Sequence, residues 1–146
     1  MSTTDDRAAL LARFWEERIP FNRRCGFTVT RWDDEGVRME VDETDDLSNG
    51  AGSVHGGVIA TLIDTIGNAA AITPAEFAPG STVATVSMTV NYVRPARGHL
   101  TARARCARDR GSVRSVVVDV VDAADELVAH GLVTVKVSVA GDPARS

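Results

Sequence analysis

At 146 residues, with 44% hydrophobic and 25% charged residues, the chain fits a single domain whose core can bury most of its apolar surface. That balance excludes a disordered chain, a disulfide scaffold and a protein built of membrane spans. The net charge is −4, and it is unevenly spread: residues 94–114 hold seven arginines against Asp109 alone, or +6, while the remainder holds 9 basic and 19 acidic residues, or −10. An anion finds that basic stretch favourable. However, 15 of the 16 basic residues are Arg, so a general bias toward arginine explains the stretch equally well.

The first residues, Met1-Ser2-Thr3-Thr4-Asp5-Asp6, lack the basic start of a secretory signal, and no stretch reaches the ~20 apolar residues of a spanning helix. The expected address is the cytoplasm. Cys25 and Cys106 belong to no C-x-x-C pair and no His cluster, so two small buried thiols are expected, with neither metal nor redox chemistry.

In chain order, Thr3 or Thr4 caps a helix with Asp5 and Asp6 in its first turn; Leu10, Leu11, Phe14 and Trp15 follow at helical spacing, and Pro20 ends it. Phe27–Trp32 and Val37–Val41 alternate in period 2 around Asp33-Asp34-Glu35-Gly36, a hairpin pattern. A polar loop runs from Asp42 to Ser53. From Gly56 to Ile72, Val58, Ile59, Leu62, Ile63, Ile66, Ala69 and Ala70 recur at spacings of three and four, which predicts a helix with so broad an apolar face that a sheet must wrap it. Four strands follow, 81–93, 98–107, 112–122 and 126–139, joined by turns short enough to make neighbours antiparallel. The predicted class is α+β, one antiparallel sheet around one long central helix. The division reads as an N-terminal helix over 1–22, a main domain over 23–140 and a flexible tail over 141–146.

The polar residues of the central helix, Thr61, Asp64, Thr65 and Asn68, fall on one stripe at a period of ~3.6. Asp64 is the ionisable one among them. A carboxylate on an apolar helix is costly unless hydrogen-bonded, and such groups are often functional; bonding to Thr61 or Asn68, or an outlet to solvent, is the plainer alternative. Gly56-Gly57 opens the helix, where the first N–H groups lack intrahelical partners and can bind an oxygen carrying negative charge. A plain tight turn also takes glycines. His55 can orient a carbonyl or act as a structural hydrogen-bonder, and Asn49 can offer its amide or serve as an ordinary loop residue. The glycines of Gly50-Ala51-Gly52-Ser53-Val54-His55-Gly56 are wrongly spaced for a dinucleotide fingerprint, no G-x-S-x-G occurs, and the arginines are not interleaved with aromatics as in nucleic-acid binders.

Asn49-Gly50-Ala51-Gly52-Ser53-Val54-His55-Gly56-Gly57, continued by Leu62-Ile63-Asp64 and Ala69-Ala70, resembles the signature of hotdog-fold acyl-CoA thioesterases, specifically the phenylacetate-pathway (PaaI-like) type. Val90-Asn91-Tyr92-Val93-Arg94-Pro95-Ala96 and Leu127-Val128-Ala129-His130-Gly131 are similar to that family's following strand and last strand. The resemblance covers roughly residues 24–137 and implies a hotdog fold hydrolysing an aromatic or short-to-medium-chain acyl-CoA. It implies Asp64 as general base or nucleophile, a carbonyl-polarising N–H at Gly56 or Gly57, site roles for Asn49 and His55, and a hydroxyl at Thr85 that helps place water. It further implies a homodimer or a tetramer of two dimers, because Gly57 and Asp64 lie ~10 Å apart along one helix and a partner's carboxylate closes that gap. Coenzyme A enters as part of the substrate rather than as a cofactor, its phosphates falling to some of Arg94, Arg97, Arg108, Arg110 and Arg114. Neither nucleic acid nor membrane is an expected partner. Two other readings use the same pocket: a non-catalytic binder of acyl-CoA or an aromatic ligand, and a hotdog dehydratase or hydratase, for which the His55 to Asp64 spacing looks wrong.

Overall fold

The computed structural model describes residues 3–107 and 111–141. Arg108, Arg110 and residues 142–146 of the expected tail lie outside the described residues.

Helix α1 (Thr3–Arg13) runs into a π-helical turn at Phe14–Arg18, after which Ile19 is extended and α2 (Pro20–Cys25) begins. Pro20 was expected to stop the first helix. The helix does end before it, because a proline disfavours the helical conformation at the preceding residue, but its fixed φ then makes Pro20 the first residue of a new turn. Gly26, at φ 72, caps α2 in the left-handed conformation that an L side chain resists. These N-terminal elements pack into the common core through Leu11 and Trp15.

Strands β1 (Thr28–Asp33) and β2 (Gly36–Asp42) form the predicted hairpin, its turn held by Asp33 Oδ1 accepting from the N–H groups of Glu35 and Gly36. The segment read as a loop contains a 3-10 turn (Asp45–Leu47) and a bridge between Ser48 and Val54. Helix α3 (Gly56–Ala70) precedes β3 (Thr82–Tyr92), β4 (His99–Ala107), β5 (Val113–Val121) and β6 (Leu127–Ser138). The six strands make one antiparallel sheet in the order β1-β2-β4-β5-β6-β3, with β1 and β3 at its edges. This is the hotdog arrangement, with α3 buried against the sheet.

Leu62, Ile63 and Ile66 of α3 are wholly enclosed, facing strand residues such as Leu100, Val116, Val133 and Val135 that are equally enclosed. The helix lies so close to β6 that side chains are missing where the two meet. A Cβ on Gly131 would fall 2.7 Å from Ile63 Cγ2, and one on Gly67 would fall 2.8 Å from Val133 Cγ2. Of the two thiols, Cys25 is buried, and burial pushes it above the usual thiol range. Cys106 corrects the expectation of two buried thiols, for it is partly exposed.

Edge strand β3 is exposed along most of its length, and Val86, Met88, Tyr92 and Val93 present large apolar surfaces to solvent. Its pairing with β6 slips between Thr85 and Ser87, inserting one extra residue. Side chains alternate along a strand, so Thr85 and Tyr92, an odd number apart, would face opposite sides without that bulge. With it, both reach α3.

Candidate active site

Helix α3 carries the candidate groups at two places, its first residues and a stretch just past its middle. Asp64 is half-buried, and its Oδ1 accepts a hydrogen bond from the Thr85 hydroxyl at 2.5 Å. Asn68, one turn further on, donates through Nδ2 to Thr85 Oγ1 (2.7 Å), to the Asp64 carbonyl (2.9 Å) and, at 3.5 Å, to Asp64 Oδ1. Three acceptors around one nitrogen fix the orientation of the Asn68 amide. Because Thr85 Oγ1 accepts from Asn68, its own proton is directed at Asp64, giving a relay from amide to hydroxyl to carboxylate. The Asn68 Oδ1 atom is buried without a hydrogen-bond partner.

The polar stripe divides by direction. Thr61 bonds back to the Gly57 carbonyl and is satisfied locally. Thr65 turns to the N-terminal segment, where its hydroxyl meets Asn22 Oδ1, Asn22 Nδ2 meets the Trp15 carbonyl, and Trp15 Nε1 meets the Thr65 carbonyl. Trp15 also packs edge-on against Trp32, with ring centroids 5.2 Å apart. This buried network fastens the N-terminal segment to α3 one residue from Asp64. Beside it opens a cavity of about 540 Å³, lined by Phe14, Trp15 and Phe77 with Asp64, Asn68 and Thr85 in its wall.

At the start of α3, His55 is the N-cap, and its Nδ1 accepts from the Gly57 N–H at 2.8 Å. The Gly57 donor is therefore engaged. Gly56 N–H, by contrast, has no hydrogen-bond acceptor among the described residues. The Tyr92 hydroxyl donates to the Gly56 carbonyl at 2.8 Å and pins this end of the helix to β3. Asn49 organises its own loop, donating to Ser53 Oγ and accepting from the Ala51 and Ser53 N–H groups. A second cavity, about 380 Å³, is lined by Asn49, Gly56, Tyr92 and Arg94.

The structure thus brings Asp64 and Thr85 together at one place, and Asn49, His55, Gly56 and Gly57 at another. Eight residues of helix at ~1.5 Å each put ~12 Å between Gly56 and Asp64. Of the arginines, Arg94 is exposed beside the second cavity and pairs with Glu126 at 3.3 Å, and Arg97 is exposed nearby in sequence. Arg114 corrects the expectation of a phosphate ligand: it is 4% exposed, its guanidinium bonded to both Glu76 oxygens and to the carbonyls of Ala71 and Gly111. That guanidinium holds the Glu76 carboxyl below the usual carboxylate range. No group of three or more His, Cys, Asp or Glu residues suited to a metal ion occurs among the described residues, and no helix there is long and apolar enough to cross a membrane.

Sequence reasoning missed Asn68 and Tyr92 as site residues, although both stood in the quoted patterns. It missed the Trp15-Asn22-Thr65 network altogether, since nothing in Pro20-Phe21-Asn22-Arg23 distinguishes a buried Asn from a loop one.

A family model described as the thioesterase superfamily matches residues 51–129, more than half of the chain and the whole stretch from the glycine loop to β6. The chain belongs to the thioesterase superfamily. A relative from Halobacterium salinarum, provisionally named an esterase, is 36% identical over 126 residues, covering 83% of this chain and 82% of its own. A Shewanella oneidensis structure related to the thioesterase superfamily superposes with a TM-score of 0.82 at 23% identity, covering 92% of this chain and 97% of that one. The PaaI protein of the Escherichia coli phenylacetic acid degradation operon superposes at 0.79 with 20% identity, over 92% and 95% of the two chains. At those identities the two structures speak for the shared fold, and the superfamily match with the esterase relative speaks for a hydrolase.

Proposed function

We propose that this thioesterase-superfamily chain hydrolyses acyl-coenzyme A esters, of the PaaI-like type, in a site shared by two subunits. The observation that carries this reading is the separation of a hydrogen-bonded carboxylate and an unengaged helix-start N–H over two cavities of one chain. Neither half suffices alone, since a thioester carbonyl about 3 Å from its donor stays far from the carboxylate on the same helix.

The exposed β3 edge supplies a way to join the halves. In an antiparallel pairing of β3 with its copy about Thr89, Thr89 faces its own copy and Ser87 faces Asn91, and the extra residue of the bulge then sets Thr85 of one chain opposite Tyr92 of the other. Thr85 contacts Asp64 and Tyr92 contacts Gly56. The pairing also buries Val86, Met88 and Val93 and satisfies an edge that would otherwise invite aggregation.

In this site the Gly56 N–H, at the positive end of α3, polarises the carbonyl and stabilises the oxyanion. Asp64 of the other subunit takes a proton from water as it attacks, or attacks the carbonyl itself; both routes need the ionised carboxylate that Thr85 and Asn68 hold in place. The C–S bond then breaks and coenzyme A leaves as its thiol; the general-base route gives the acid directly, whereas direct attack leaves a mixed anhydride on Asp64 that a water then hydrolyses to the acid. His55 keeps the Gly57 N–H occupied and so leaves Gly56 as the donor, while Asn49 shapes the loop beside it. The acyl group, aromatic or aliphatic, enters the cavity walled by Phe14, Trp15 and Phe77. Arg94 and Arg97 take the phosphates.

The test is thiol release from phenylacetyl-, hydroxybenzoyl-, short- and medium-chain acyl-CoA by wild type and Asp64→Asn. Turnover that falls at least a thousandfold in the variant, with the melting curve kept, is expected; wild-type turnover in Asp64→Asn overturns the assignment.

A further inference from the structure

Phe14 and Phe77 line two cavities at once. On one side is the cavity that holds Asp64; on the other is a cavity of about 340 Å³ between α1 and residues 74–79, walled by Leu10, Leu11, Pro74 and Pro79. Arg7 is the one ionisable residue lining this second space, and it reaches toward the Ala75 carbonyl. No other side chain in its wall offers a hydrogen bond, so an occupant with donors or acceptors along its length would lose them there. Leu10 is 67% exposed and Phe14 44% exposed, apolar surface that a hydrocarbon would cover.

From the shared Phe14-Phe77 partition we infer that the second cavity is a distal subsite for the far end of a long saturated acyl chain, of the dodecanoyl class, whose thioester lies at Asp64. This rests on the acyl-CoA reading above. Neither phenylalanine ring has a polar atom to hold it, and neither is fully enclosed, so a rotamer change at either opens the way between the spaces. An aromatic acyl group, being short, ends in the first cavity. A chain of about twelve carbons continues past the partition, and each methylene that leaves water strengthens binding about fourfold.

The experiment measures binding of butanoyl-, octanoyl- and dodecanoyl-CoA to Asp64→Asn protein by calorimetry, and kcat/KM for the same esters with the wild type. Both are repeated with Leu10→Trp and with Ala78→Leu, which fill the second cavity from opposite walls. Affinity is expected to climb through dodecanoyl, and each filling substitution is expected to lower the dodecanoyl-to-butanoyl ratio at least tenfold. A ratio that levels off at octanoyl in the parent protein, or that neither substitution changes, overturns the subsite. Sedimentation separates the competing occupant: a lower assembly mass in the filled variants with an unchanged ratio assigns the cavity to a second copy of the chain and likewise overturns it. Hydrolysis without chain-length dependence defeats the subsite alone. Absence of hydrolysis for every ester defeats the hydrolase reading, while the binding ratio still decides the subsite.

Discussion

Gly56→Pro removes the N–H donor from the proposed site and puts a ring carbon in its place. Gly56 is the first residue of α3, where a proline's fixed φ suits the helix and the missing N–H breaks no intrahelical bond. His55 before it is already extended, at φ −58 and ψ 133, the conformation that a following proline requires. A Cβ there meets the Tyr92 ring at 3.4 Å, an ordinary contact. The fold should survive, and loss of one oxyanion donor should lower kcat by about 10²- to 10³-fold. Asp64→Asn inactivates the other half. When the two inactive proteins are mixed, unfolded and refolded together, half of the dimers are mixed, and each mixed dimer contains one site with both groups intact. About a quarter of wild-type activity should therefore return. The assay is thiol release before and after co-refolding, with each variant refolded alone as the control. If no activity returns although mixed dimers are detected, Asp64 and Gly56 do not act across a subunit boundary, and the shared-site reasoning fails.

Asn68→Ala should lower kcat at least tenfold with KM within about threefold, because the amide acts by directing the Thr85 proton at Asp64 rather than by holding substrate; steady-state kinetics against Thr85→Ser, which keeps the hydroxyl, checks this. Val86→Asp should turn the assembly into inactive monomer, read by sedimentation and thiol release, since it puts a charge into the apolar edge proposed to pair. Glu76→Gln leaves the enclosed Arg114 charge short of its partner; as the Glu76 side chain is 35% exposed, the loss should be about 2–3 kcal/mol, less than for a wholly buried pair, and should lower Tm by about 8 °C in a thermal melt. The same pair sets a pH dependence: Arg114 depresses the folded-state pKa of Glu76, so its contribution is complete above the ordinary glutamate value of 4.5 and is lost as pH falls through the depressed one. Melts of the wild type should therefore weaken more steeply in that acid window than melts of Glu76→Gln.

The sequence by itself determined the central helix, the six strands and their order. The three- and four-residue spacing of α3 and the period-2 runs of the strands are local patterns, and these elements formed within a few residues of their expected bounds, whereas α2 and the turn at Asp45–Leu47 formed where a helix stop and a loop were expected. It also singled out Asp64 and the diglycine, because a lone carboxylate on an apolar helix and unpaired N–H groups at a helix start are costs visible without a partner. Pairing across the fold was not legible. Arg114 looked like any arginine of a basic stretch until Glu76, 38 residues away, enclosed it. Thr85 and Tyr92 reach the same helix through a one-residue bulge, which alternation in the strand does not reveal. Which glycine offers its N–H was decided by the rotamer of His55, and the burial of Asn22 by Trp15 and Thr65 folding onto it. A local pattern records what a residue does for its own helix or strand; what a polar atom bonds to depends on atoms far along the chain, and only the tertiary structure brings them within 3 Å.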